Sequence, residues 1–216
     1  MIFSALISSL ILIESREIGQ SMLSQPFMVS FLLVFLGFDP YFVFITAALT
    51  HFFYIHYVPS GATKYPEYPF SFFVVISSTK EIIAQFEPNI GLLTLITFAL
   101  IIIVSRLTAT YVYYKRMYIE KFIEKFITDE KKLGIRLSLG IRITYSIVTF
   151  TTFALILIYL SKNLLFKFLA PSELSLAMND LIIFILLGMF TPYLFSKKKF
   201  KASFTGIIIG LIILLV

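Results

Sequence analysis

The stretch Gln25 to Pro69, QPFMVSFLLVFLGFDPYFVFITAALTHFFYIHYVPSGATKYPEYP, is almost wholly apolar yet carries Asp39, His51, His56, Lys64 and Glu67. Ionisable groups are costly inside a bilayer, and those kept there usually line an ion or solute path or pair within the protein. Two apolar runs, Pro26 to Leu36 and Tyr41 to Val58, are split by Gly37, Phe38, Asp39 and Pro40. A polar, proline-rich link from Pro59 to Pro69 then leads to a short run from Phe70 to Ile76. A helix of about 11 residues reaches only ~17 Å, against a hydrocarbon core of ~30 Å. Short, broken or re-entrant helices are therefore expected in the N-terminal half, as irregular backbone is tolerated where protein or a watery cavity surrounds it.

Outward from that stretch, the composition sets the class. The 216 residues are 59% hydrophobic, 17% aromatic and 14% charged, with a mean hydropathy of +0.95. A soluble domain of this length leaves too much surface exposed to hide so much apolar area. The expectation is an all-α, polytopic integral membrane helix bundle, residues 1–216 forming one membrane domain. The chain has no cysteine, which excludes disulfides, thiolate metal sites and a cysteine nucleophile. The net charge of +6 is concentrated: eight Lys or Arg lie between Lys115 and Arg142 and four between Lys197 and Lys201, twelve of the eighteen. Basic patches beside apolar spans read as cytoplasmic loops facing anionic lipid, not as a nucleic-acid surface.

Met1 to Ile13 lacks the basic start and small-residue cleavage site of a secretory signal and reads as a retained, membrane-inserted segment. Lys80 with Glu81, and Glu87 before Pro88, lie between apolar runs and read as a turn at the membrane surface. Ile90 to Val104 runs through Arg106 into a tyrosine-rich end, Tyr111, Tyr113, Tyr114 and Tyr118, suited to an interface belt. Residues 115–136 read as a cytoplasmic amphipathic segment, with Tyr118, Ile119, Phe122, Ile123, Phe126 and Ile127 on one stripe. Ile143 to Leu160 is long enough to span, Leu181 to Phe195 nearly so, and Ser203 to Val216 is a final apolar run. With the basic patches inside, the loop Ser161 to Asp180 faces outward.

No enzymatic constellation is present: no phosphate-binding loop, dinucleotide fingerprint, zinc-spaced histidine pair or nucleophile elbow. His51 and His56, five apart, point to different faces of a helix, so a shared metal is not expected. No cofactor is expected, and no catalytic residue. For His51 two roles stand open, a solute contact or a neutral histidine bonded to a neighbouring helix. Arg106 suits snorkelling to headgroups.

The opening stretch resembles the N-terminal part of the IIC membrane component of the mannose-type (mannose/fructose/sorbose) sugar phosphotransferase system. Pro26 is followed by Asp39 at thirteen residues, Gly61-Ala62 falls twenty-two beyond Asp39, and Pro66-Glu67 five beyond Gly61. Pro171 leading into Asn179-Asp180, Gly188 and the segment Gly206 to Gly210 agree more loosely. The resemblance implies a permease subunit in the cytoplasmic membrane of a bacterium, in an oligomeric assembly with a IID membrane subunit and served by cytoplasmic IIA and IIB phosphoryl carriers. It implies a sugar-contacting set of Asp39, His51 and Glu67, with Asp39 also suited to capping a turn before Pro40. His51 stands where the family has glutamate and Pro59 where it has asparagine. An imidazole cannot supply a carboxylate's two acceptor oxygens. These departures leave open a changed solute, or a transport-inactive scaffold or sensor on the same fold. A small substrate-capturing subunit of a vitamin transporter is similar in length, but such subunits lack the broken N-terminal segments.

Overall fold

A computed structural model describes residues 1–14, 25–54, 66–86, 90–127 and 133–169. Among the described residues the chain is all-helical, with six helices and no strand: α1 (Ile2–Ile13), α2 (Pro26–Phe35), α3 (Pro40–Tyr54), α4 (Tyr68–Phe86), α5 (Ile90–Ile127) and α6 (Leu133–Leu169). Two stretches are long and apolar enough to cross a membrane: Ile90–Ile119, of mean hydropathy 2.4, and Gly140–Lys167, of 1.9. His56, Pro59, Lys64, the Gly61-Ala62 pair and the segments Leu181 to Phe195 and Ser203 to Val216 lie outside the described residues.

The organising element is α4, which packs against all five other helices. Phe70, Phe72, Phe73, Val74, Val75 and Ile76 are completely buried. With Ser71, also fully buried, they make seven consecutive buried residues, which cover every direction around the axis, the pattern of a helix enclosed on all sides. The short run read from the sequence is thus the N-terminal half of a central helix of 19 residues, ~28 Å long.

α2 and α3 form an antiparallel helical hairpin whose turn follows residue by residue from Leu36 to Pro40. Gly37 takes the left-handed conformation, φ +82°. Its N–H donates to the Val34 carbonyl at 2.9 Å and the Phe38 N–H to the Leu33 carbonyl at 3.2 Å, the paired bonds of a Schellman stop. Asp39 then opens α3, its Oδ1 accepting the Phe42 N–H at 2.7 Å, and Pro40 takes the first helical position, where a missing N–H costs nothing. At ten and 15 residues, α2 and α3 are each shorter than the hydrocarbon core.

Two expectations change. Lys80 and Glu81 are not a surface turn; they lie inside α4. The Lys80 ammonium donates to the Leu36 carbonyl at 2.8 Å, satisfying the C-terminus of α2, and Glu81 pairs with Lys162 of α6. A helix carries such charges at its surface end once each has a partner. The 115–136 segment is likewise no separate helix: α5 runs unbroken to Ile127, α6 begins at Leu133, and α6 continues through Leu169 into the expected outer loop. Nothing between Val104 and Tyr118 is a Gly or Pro, so no residue stops α5 where its hydropathy falls.

Most buried hydroxyls are satisfied on their own helix. Ser30, Thr46, Thr50, Ser71, Thr97 and Thr108 each donate to the carbonyl four residues back, at 2.7 to 2.8 Å. Hydroxyls reach across helices at Ser9, which accepts from Thr151 at 3.1 Å, at Ser146 and at Ser105.

Candidate functional site

The helices pair up at two levels. At one end lie the Leu36–Asp39 turn, Lys80, Glu81 and Lys162. At the other, the last residue of α3, the residue before α4 and the middle of α5 meet, through Tyr54, Glu67 and Ser105. From Ser105, α5 continues ~33 Å to Ile127 as an arm flanked by α6, the two helices meeting at Tyr111–Thr149 and Lys115–Ser146.

Glu67 is 2% exposed. Its carbonyl accepts the Ser71 N–H at 3.0 Å and the Ser71 hydroxyl at 2.7 Å, and its own N–H donates to the Ser105 carbonyl at 3.4 Å. A carboxylate here sits at the head of the central helix, where the helix dipole favours negative charge. Tyr54, 1% exposed, stacks on Tyr68 at 4.9 Å and 8° between planes. The Tyr54 hydroxyl lies 2.5 Å from Ser105 Oγ. Phe53 meets Phe98 edge-on at 5.6 Å. Buried Glu67 is thus joined through Ser105 to Tyr54 and so to Tyr68; a carboxylate and two phenol rings are the kind of acceptor, donor and ring faces that recognition of a polyhydroxylated solute uses.

The three residues the resemblance singles out are not gathered in one place. Asp39 is exposed and caps α3, about 18 Å along that helix from His51. His51, half-buried and one turn before Tyr54, faces α2, its ring edge-on to Phe27 at 5.3 Å. Its Nδ1 is buried without a hydrogen-bond partner among the described residues. Glu67 alone sits inside the cluster with Tyr54, Tyr68 and Ser105. Among the described residues no three His, Asp or Glu side chains converge to hold a metal ion. A groove of about 450 Å³ between α1 and α2, lined by Ile11, Val29, Leu32 and Glu14 among others, includes none of the three.

Reading the sequence alone misses Ser105, Tyr68 and Lys115. Tyr54 and Tyr68 have a visible signal, since Tyr68 lies within the proline-rich link and Tyr54 shortly before it; Ser105 has none, because its partner Tyr54 lies 51 residues away. Lys115, counted above in a basic patch, is 7% exposed. Its ammonium donates to Ser146 Oγ at 2.6 Å and lies 3.4 Å from the centre of the Phe150 ring, a cation–π contact tying α5 to α6. At the opposite end, the Lys162 ammonium beside Glu81 holds that carboxyl below the usual carboxylate range. No protein-family model matches the chain, no curated protein matches its sequence, and no solved structure matches its fold.

Proposed function

We propose that the chain is a polytopic integral membrane protein of a bacterial cytoplasmic membrane, working as the IIC permease subunit of a mannose-type sugar phosphotransferase system beside a IID subunit. Membrane residence is supported by α6, of whose most apolar window only 28% is buried. Ile141, Tyr145, Val148, Ile156, Tyr159 and Phe166 are exposed along it, a surface that water would not tolerate at this size. The short α2–α3 hairpin suits a re-entrant pair packed against spanning helices. Counting Lys and Arg orients the α5–α6 arm to the cytoplasm, which turns the Glu67 end inward and the Lys80 end outward.

The observation that carries the permease reading is Glu67: a buried carboxylate at the head of a fully enclosed helix, flanked by stacked tyrosines and lying where the resemblance puts the family's acidic residue. The test is co-expression with a IID partner and measurement of sugar uptake coupled to phosphorylation. Glu67→Gln should lower uptake about ten- to a hundredfold, the value of a hydrogen bond to a charged group. Absence of both IID association and uptake would sink the reading.

The second reading, a transport-inactive scaffold or sensor on the same fold, is favoured by the closed state of the cluster: Tyr54 is covered and its ring is occupied by Tyr68. On that reading the unmodified protein binds no sugar, and replacing His51 with glutamate and Pro59 with asparagine creates no binding.

A further inference from the structure

We propose that Ser105 is a positioning residue, which fixes the buried Glu67 by joining the end of α3 to the head of α4. Three bonds converge on it. Its hydroxyl donates to the Ile102 carbonyl at 2.8 Å. A serine has one hydroxyl proton, so in the 2.5 Å contact with Tyr54 it is the tyrosine that donates and Ser105 Oγ that accepts. Its carbonyl accepts the Glu67 N–H at 3.4 Å.

The peptide units flanking Glu67 are thereby held from two sides, its N–H by Ser105 and its carbonyl by Ser71. The long N–H bond is the weaker of the Ser105 contacts, so the hydroxyl link to Tyr54 carries more of the tie. Ser105 is fully buried, so water does not replace that link when it is lost. Tyr54 in turn covers the ring of Tyr68, the residue next to Glu67. Release of Tyr54 would uncover Tyr68 and free the head of α4. Ser105 touches the solute in neither reading; it acts through Tyr54 and Glu67. The consequence for solute recognition rests on the permease reading, whereas the tie itself does not.

The chain contains neither Trp nor Cys, so Tyr68→Trp in the full-length protein gives a single indole reporter against Tyr54. On that background, Ser105→Ala and Tyr54→Phe should each raise acrylamide quenching of the indole about tenfold, the population shift that one buried hydrogen bond commands, with a red shift in emission. Ser105→Thr keeps the hydroxyl and should restore the parent values. If the tryptophan itself disturbs the fold, hydrogen exchange of the first-turn amides of α4 in the otherwise unmodified chain should rank the same variants in the same order.

Titration with mannose, fructose and sorbose supplies the second readout. Affinity should fall about tenfold in Ser105→Ala and recover in Ser105→Thr, while Glu67→Gln should lower it about ten- to a hundredfold. Unchanged quenching and exchange in Ser105→Ala overturns the tie. A loosened α4 with unchanged sugar affinity overturns the positioning role. If the unmodified chain binds no sugar while Ser105→Ala still loosens α4, the tie stands and the permease reading falls instead.

Discussion

The two ends of the bundle hold their helices together by opposite means. At the Lys80 end, the outer one on the proposed orientation, the ties are charged and exposed: Asp39 caps α3, Lys80 satisfies Leu36, and Glu81 pairs with Lys162. At the Glu67 end, the inner one on that orientation, they are buried and aromatic: Tyr54 on Tyr68, the tyrosine hydroxyl on Ser105, and Glu67 on the Ser105 carbonyl. Where water reaches a group, it offers a replacement partner and the protein bond adds little. Where it does not, loss of one partner leaves the other with the full desolvation cost. Substitutions of similar size should therefore cost far more at the inner end.

The largest effect should come from Tyr54→Ala. Deleting a fully buried aromatic side chain costs about 3–5 kcal/mol, read as a fall in the midpoint of detergent denaturation followed by helical circular dichroism. Ser105→Ala comes next. It removes the acceptor of the buried Tyr54–Ser105 hydrogen bond, at about 1.5 kcal/mol, and Tyr54→Phe on the same background should add little further loss, since both substitutions remove the same bond. If Ser105→Ala costs nothing, the inner end is wetter than its burial implies and the contrast between the ends weakens.

Asp39→Ala tests the outer end. Loss of the cap should cost about 1 kcal/mol, and Asp39→Asn only a few tenths, since asparagine caps nearly as well. A cost for Asp39→Ala that rivals Tyr54→Ala would break the comparison outright. Asp39→Asn also separates two roles. A cap survives the substitution, while a carboxylate that contacts solute loses its charge.

The same contrast explains what was legible in the sequence. The outer turn is written in local chemistry: Gly37 supplies the left-handed residue, Asp39 the cap and Pro40 the first turn of α3, all within five positions. The apolar stretches of α5 and α6 that are long enough to cross a membrane follow from hydropathy. Lys80 and Glu81 misled because a charge pair in an apolar run resembles a turn, and their partners, Leu36 and Lys162, are 44 and 81 residues away. Lys115 misled in the other direction, a lysine in a basic cluster being read as solvated although Phe150 and Ser146 enclose it. The inner end is built from long-range contacts between common residue types, and only Glu67 stood out there, because a carboxylate in an apolar run is costly wherever it lies.

The smallest effect is the acid response of the outer ion pair. The hydrogen bond and charge of Lys162 lower the Glu81 pKa from its ordinary 4.5, so between the two values the unfolded chain binds more protons than the folded one. Stability from the pair is then fully present above the ordinary value and is lost as pH falls through the lower, folded one. Glu81→Gln should lower stability slightly near neutral pH, where the pair is intact, and match the parent once pH has fallen below the folded value, as measured by melting temperature against pH for both proteins. The side chains of Lys162 and Glu81 are 33% and 57% exposed, and interactions between groups so accessible are screened by salt. High salt should accordingly erase the difference between parent and variant. A difference that persists in high salt would mean that the outer pair is shielded as the inner cluster is, and the distinction between the two ends would then rest on chemistry alone and not on access to water.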